Sequence, residues 1–295
     1  MKVFVTRASG FIGAPLVREL IDDGHRVLGL ARSEESARVV AKAGAEVHRG
    51  DVTDLESLRK GAAAADATIH LAFNHDFSRF KQNAEDDRAA IEAMGSEIVG
   101  ADKLLIVTSG TAISSVKPGL LSTESDEPMS SQQFPRAASE EAANTISARG
   151  GRVAIVRLPQ VHDTSKQGLI TYQIAFSREK GVSAYIGDGR NRWPAAHVSD
   201  VSRLYRLALE KGQGGVRYHA VAEEGVSARE IAETVGKKLN LPVRSITAEE
   251  APTIFGWFAH FAAWDVPASS AQTRKQLVWN PIGPTLLTDL QNLSI

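Results

Sequence analysis

Residues Val3–Gly13 (VFVTRASGFIG) restrict the fold more than any other stretch of the chain. A short apolar run breaks at Thr6-Arg7, and the apolar positions Ile12, Leu16, Val17, Leu20 and Ile21 then recur at helical spacing. A strand, a tight turn and an amphipathic helix therefore follow one another within the first two dozen residues. Gly10 and Gly13 stand three apart in the turn, and the same step back from Gly10 reaches Arg7, where a glycine would complete the series.

The alternation continues. Arg26–Ala31, Glu46–His48, Ala67–Ala72, Leu104–Thr108 and Val153–Leu158 read as strands. Glu34–Ala43, Asp54–Gly61, Phe77–Gly100 and Ala137–Arg149 read as the helices between them. Nearly continuous apolar strands separated by helices predict an α/β fold, a Rossmann-type doubly wound parallel sheet covered on both faces. Segment 109–130, rich in Ser, Thr, Pro and Gly, reads as a long loop. Beyond residue 159 the pattern loosens into helices near 168–179, 198–211 and 228–239 and a strand at 216–221. Three of the four tryptophans (Trp257, Trp264 and Trp279) then fall near the end with Phe258 and Phe261, which suggests a small cap over the sheet.

Composition removes several function classes. A net charge of -1 supplies no field for nucleic acid or an anionic membrane. Zero cysteines exclude disulfides, thiolate metal sites and cysteine nucleophiles. The eight histidines show no H-x-x-x-H or H-E-x-x-H spacing, so no metal site is expected. No signal-peptide core or stretch of about 18 apolar residues is present, so a soluble, cytoplasmic protein acting on a small molecule is expected.

The glycines point to a ligand because of where they stand. At a strand-to-helix junction, backbone N–H groups and the helix N-terminus can face a pyrophosphate. Thr6, Arg7, Ser9, Gly10, Phe11, Ile12 and Gly13 are therefore candidates for a dinucleotide-binding turn. The second strand ends in Ala31-Arg32-Ser33 rather than in an acid. Arg32 and Ser33 suit a 2′-phosphate, which favours NADP(H) over NAD(H). Asp51 and Val52 are placed to meet the adenine, and Leu71, Ala72 and Phe73 close the fourth strand beside the cofactor. The expected division is a dinucleotide-binding domain over 1–158, with 195–222 returning to it, and a smaller substrate-binding cap from 159–194 and 223–295.

Thr6–Gly13, Gly50-Asp51-Val52, His70-Leu71-Ala72, Thr108-Ser109 and His197-Val198-Ser199-Asp200-Val201 together resemble the extended short-chain dehydrogenase/reductase superfamily. Phe73-Asn74-His75-Asp76-Phe77, Gly187–Trp193 and Tyr218–Gly225 are similar to a microbial and fungal group of the NAD-dependent epimerase/dehydratase kind. The resemblance covers nearly the whole chain. It implies a Rossmann fold with a substrate subdomain that is discontinuous in sequence, and a Tyr-x-x-x-Lys pair for proton transfer. A homodimer through Phe77–Gly100 and Ala137–Arg149 would fit the superfamily, and a monomer fits the sequence equally.

That pair is missing. The residues four positions after Tyr172, Tyr185, Tyr205 and Tyr218 are Phe176, Gly189, Leu209 and Ala222. By position, Arg136 replaces the tyrosine and Glu140 the lysine. A guanidinium stays protonated, so Arg136 can stabilise negative charge on oxygen but cannot act as a general acid. His75, after the fourth strand, is a candidate proton donor, with bound water as the alternative. His162 and Asp163 lie on the same sheet edge, and Ser109 and Thr111 stand near the superfamily's substrate-orienting hydroxyl. The favoured reading is an atypical NADP(H)-dependent oxidoreductase acting on a small carbonyl or imine compound. A non-redox isomerase, cyclase or lyase on the same scaffold, and a non-catalytic dinucleotide-binding protein, are the alternatives.

Overall fold

The computed structural model describes residues 1–114 and 120–294. The first half alternates strand and helix: β1 (Lys2–Val5), α1 (Gly13–Asp22), β2 (Arg26–Ala31), α2 (Glu34–Lys42), β3 (Glu46–Arg49), α3 (Leu55–Ala63), β4 (Ala67–His70), α4 (Phe80–Gly95), β5 (Leu104–Gly110), α5 (Ala138–Ala148) and β6 (Arg152–Leu158). The second half has β7 (Gln160–His162), α6 (Ile170–Lys180), β8 (Ser183–Ile186), β9 (Arg192–His197), α7 (Val198–Lys211), β10 (Arg217–His219), β11 (Glu223–Ser227), α8 (Ala228–Leu239) and β12 (Val243–Ile246). Four short helices follow: α9 (Ala251–Phe255), α10 (Ala259–Ala262), α11 (Ala271–Leu277) and α12 (Leu286–Gln291).

Seven strands form one parallel sheet in the order β10-β6-β5-β4-β1-β2-β3, so the strand order reverses between β1 and β4. Such a switch point opens a crevice at the carboxyl ends of the strands. Alternation along each strand loads both faces of the sheet. Val3, Val5, Ile69 and Ile106 pack on one side with Leu16, Val17 and Leu20 of α1 and Val201, Leu204 and Tyr205 of α7. On the other side Phe4 and Leu28 meet Leu58 of α3 and Met94 of α4, while Leu105 and Val107 meet Ile91 and Ile146. The α/β fold with a doubly wound parallel sheet stands as read from the sequence.

The helix expected over 77–100 is shorter. Asp76 accepts a hydrogen bond from the Ser78 N–H and caps a single 3-10 turn, and α4 proper begins at Phe80. It ends at Gly95, where Ile146 packs so closely that a β-carbon would come within 2.2 Å. In the segment read as a loop, β5 continues to Gly110 and Thr111–Ile113 form a 3-10 turn; residues 115–119 lie outside the described residues.

A second apolar core, from Trp193, Ile231, Val235, Phe255, Phe258, Leu286 and Leu290, sits under a three-stranded sheet (β11-β9-β7) and a parallel pair (β12-β8). None of β7, β8, β9, β11 and β12 is expected from the sequence. β10 rejoins the main sheet beside β6, and Leu277 and Trp279 also pack in the first core. Among the described residues no helix is long and apolar enough to cross a membrane.

Candidate functional site

The turn after β1 is closed by the Gly10 N–H donating to the Arg7 carbonyl at 2.8 Å. A β-carbon on Gly13 would fall 2.1 Å from that carbonyl, so no side chain fits there. No side chain caps α1, and its first turn holds no acidic residue, which leaves its positive end to an outside anion. Arg7 takes a left-handed φ of +52°, the conformation a glycine would adopt freely. Its side chain folds over Gly10, where a β-carbon would meet the Arg7 Cγ at 2.8 Å, and Nη1 donates to the Phe73 carbonyl at 2.9 Å. Burial, and secondarily the charge of Arg32, lower the Arg7 pKa from its ordinary value.

A cleft of about 730 Å³ opens above this turn. Arg7, Ser9 and Gly10 form one wall, Arg32, Ser33, Asp51 and Val52 a second, and Ala72, Phe73 and His75 a third. Ten sequence-predicted positions thus face one cavity of dinucleotide-binding size. The Arg32 guanidinium is exposed and 4.0 Å from the Asp51 carboxylate, and Ser33 caps α2. Phe11 and Ile12 pack against the first core, and Gly13 and Leu71 are buried behind the turn. Thr6 is fully buried, and its hydroxyl accepts the N–H groups of Leu71 and Ala72 at 3.0 and 3.1 Å, tying β1 to the end of β4. The uncapped helix, the tight glycine turn and the cleft fit a dinucleotide, and the Arg7 side chain covers the Gly10 face of that turn.

His75 lines the cleft, but its chemistry differs from the expectation. The Phe73 carbonyl can only accept, so the 3.1 Å contact places a hydrogen on His75 Nδ1 and leaves Nε2 with its lone pair. Desolvation, with Arg7, Arg136 and Lys166 nearby, pushes the His75 pKa down to about 4. At neutral pH the ring is an acceptor, not the proton donor it was expected to be. Lys166, whose ammonium lies 5.9 Å from the centre of the Phe11 ring, joins this group of cations without any sequence signal.

Arg136 stands at the chemical end, with its guanidinium 4.1 Å over the centre of the Phe73 ring. Nη1 donates to Asp87 Oδ2 at 2.8 Å and to the Ser139 hydroxyl, and Nη2 donates to the Thr108 carbonyl at 2.8 Å. Nε–H has no partner among the described residues, and Nη2 retains a second hydrogen. Burial alone would raise the Asp87 pKa. Arg136, with hydrogen bonds from His70 and Ser139, outweighs that and holds the carboxyl below its usual range. His70 Nε2 lies 3.0 Å from Asp87 Oδ1, and its Nδ1 is 2.9 Å from the Thr6 hydroxyl.

Glu140 is not part of this group. Its side chain is fully buried in a two-point pair with Arg157 at 2.8 and 2.9 Å, with Arg217 at 3.4 Å. The structure therefore corrects its assignment to the catalytic set, and it also separates Arg136 from any i,i+4 pairing with Glu140. Among the described residues the buried Ser109 hydroxyl has no hydrogen-bond partner, and Thr111 makes a long contact, 3.4 Å, to the Leu158 carbonyl. His162 is buried against Asp289 at 2.7 Å, away from the cleft lining. Asp23, His25 and Glu210 come together although distant in sequence, but Arg206 pairs with both carboxylates at 3.3 and 3.0 Å.

Beyond Phe73 runs a wall of aromatic rings. Phe73 meets Phe80, Phe80 meets Phe134, and Phe134 meets Trp264 at centroid distances of 6.2, 5.6 and 5.5 Å. Phe77 stacks on Trp257 at 4.9 Å and touches Phe261 and Tyr172. These rings bridge the residues around β4 and α4 to the second core.

A family model for the NAD dependent epimerase/dehydratase family matches residues 3–222. An uncharacterised protein of Schizosaccharomyces pombe is 44% identical over 98% of each chain. An uncharacterised protein of Saccharomyces cerevisiae is 41% identical over 99% of this chain and 98% of that one. Among solved structures, the dTDP-glucose 4,6-dehydratase DesIV of Streptomyces venezuelae, with NAD and TYD bound, superimposes with a TM-score of 0.76. That pair shares 22% identity over 99% of this chain and 95% of that one, a likeness of fold. The chain belongs to the NAD-dependent epimerase/dehydratase family.

Proposed function

We propose that the protein is an NADP(H)-dependent oxidoreductase that reduces a small carbonyl or imine compound, with Arg136 in place of the usual tyrosine. The observation that carries this reading is the free edge of Arg136. Three contacts fix the far side of the guanidinium, and Nε–H with one Nη2 hydrogen is left to meet a substrate heteroatom beside the cleft. When bound, the reduced nicotinamide supplies a hydride. Arg136 donates hydrogen bonds that strengthen as negative charge grows on the acceptor atom. The proton then comes from water, because Arg136 does not release one and His75, with its pKa near 4, is neutral at working pH. Arg32 and Ser33 would hold a 2′-phosphate, which supports the preference for NADP(H).

Titration of the purified protein with NADPH and NADH tests the cofactor. NADPH is expected to bind more tightly, and Arg32→Asp should weaken it by roughly tenfold, the effect of about 1.4 kcal/mol, with a much smaller change for NADH. Equal effects on the two would remove the NADP(H) preference. Arg136→Ala should lower turnover of a substrate found in a carbonyl screen by roughly 10²–10³-fold, the usual effect of losing an oxyanion donor. Arg7 lying over Gly10 favours the non-redox reading as the second choice. Failure of both dinucleotides to bind would select it.

A further inference from the structure

Arg136 is anchored by a buried chain of side chains that begins under the cofactor turn. Thr6, just after β1, contacts His70 on β4, which contacts Asp87 on α4, which in turn holds Arg136 in the 3-10 turn Pro135–Ala137 and Ser139 in the first turn of α5. Thr6, His70, Asp87 and Ser139 are each at most 3% exposed. Four elements far apart in sequence thus converge on one guanidinium.

The direction of each hydrogen bond follows from counting lone pairs. The Thr6 oxygen already accepts two amide hydrogens, from Leu71 and Ala72. Its own hydrogen is therefore the one that points at His70 Nδ1, which must accept it. The imidazole hydrogen is then on Nε2, facing Asp87 Oδ1. With Oδ1 taken by His70, Oδ2 is left for Arg136 and Ser139. Had His70 the other tautomer, its Nε2 lone pair would face a carboxylate oxygen at 3.0 Å, a repulsive contact.

We propose that Asp87, oriented by His70 and Thr6 and supported by Ser139, is the positioning residue that turns the free Nε/Nη2 edge of Arg136 toward the substrate. The proposal rests on the reading of Arg136 given above. A charge-assisted bond to a fixed carboxylate, a second anchor at the Thr108 carbonyl and the Phe73 ring beneath the plane leave the guanidinium one orientation. Without Asp87 the arginine would keep its charge but lose its aim.

The test uses nitrogen-15 NMR of the whole protein without ligand, the His70 and Arg136 signals being assigned by His70→Gln and Arg136→Lys. The wild type should show His70 as the Nε2–H tautomer and the Arg136 Nε–H as rigid on the picosecond-to-nanosecond scale, unlike the exposed Arg32. Thr6→Val removes the hydrogen bond to Nδ1 and should shift the His70 Nδ1 resonance while the Nε2–H tautomer, held by Asp87, persists; Thr6→Ser should restore the wild-type resonance. Asp87→Asn should release Arg136 to the mobility of Arg32. Ser139→Ala, which removes a single hydroxyl and should fold even if Asp87→Asn does not, should release it in part. An Nδ1–H tautomer in the wild type, or an Arg136 signal equally rigid in both variants, would overturn the proposal. With a substrate from the carbonyl screen, Ser139→Ala should lower kcat and leave the NADPH dissociation constant alone. A wild type that binds neither dinucleotide would refute the oxidoreductase reading and leave the NMR result to decide the anchoring of Arg136.

Discussion

Arg7 and Val278 hold φ near +52° and +53°, where a β-carbon crowds the next carbonyl at a cost of about 1–2 kcal/mol. For Arg7 the strain is offset by the turn it closes and by its bond to the Phe73 carbonyl. Val278 ends α11, is 78% exposed and gains little from its side chain, so Val278→Asn should raise the unfolding free energy by about 0.5–1 kcal/mol in urea titrations. Arg7→Gly should clear the face of Gly10 and tighten NADPH binding by equilibrium titration. Weaker binding would mean that the arginine grips the phosphates. His219 offers a separate check. Burial and the Arg157 charge push its pKa down to about 4 from 6.5, so the unfolded chain takes up a proton first as pH falls. Stability should therefore fall as pH drops from about 6.5 to 4, by up to about 3 kcal/mol. His219→Asn, whose amide can still donate to the Ser269 carbonyl from the Nδ1 position, should flatten that dependence in urea titrations across the same window.

At the level of elements, what the sequence revealed depended on how each strand is buried. β1, β2, β4, β5 and β6 lie inside a parallel sheet, so they read as unbroken apolar runs. β11 (EEGVS), β12 (VRSI) and β9 (RWPAAH) carry charge or proline, so no periodicity marks them, even though β9 is the central strand of its small sheet. The tight glycine turn was legible because its parts are contiguous from Thr6 to Gly13. The support of Arg136 was not, because His70, Asp87 and Ser139 meet only after β4, α4 and α5 have packed. Glu140 shows the converse failure. Its position relative to Arg136 suggested chemistry, whereas the sheet places Arg157 of β6 directly beside it. Glu140→Gln would leave a fully buried arginine without its carboxylate and should cost about 3–5 kcal/mol in urea unfolding. Replacing both residues with apolar side chains of similar volume should recover most of that loss.

Across the whole molecule, two apolar cores are joined by a chain that crosses between them several times and by the aromatic wall. That arrangement has an optical consequence. Trp193 and Trp279 are sealed at 4% and 2% exposure, while Trp257 is 45% exposed and stacked on Phe77 near the cleft. Its emission should be the red component of the spectrum and the part that responds to anything bound there. A reduced nicotinamide absorbs where tryptophan emits, so its arrival should quench the emission by energy transfer, and Trp257→Phe should remove the exposed, red-emitting share of that quenching. The wall would then report ligands by its own light, with no label attached.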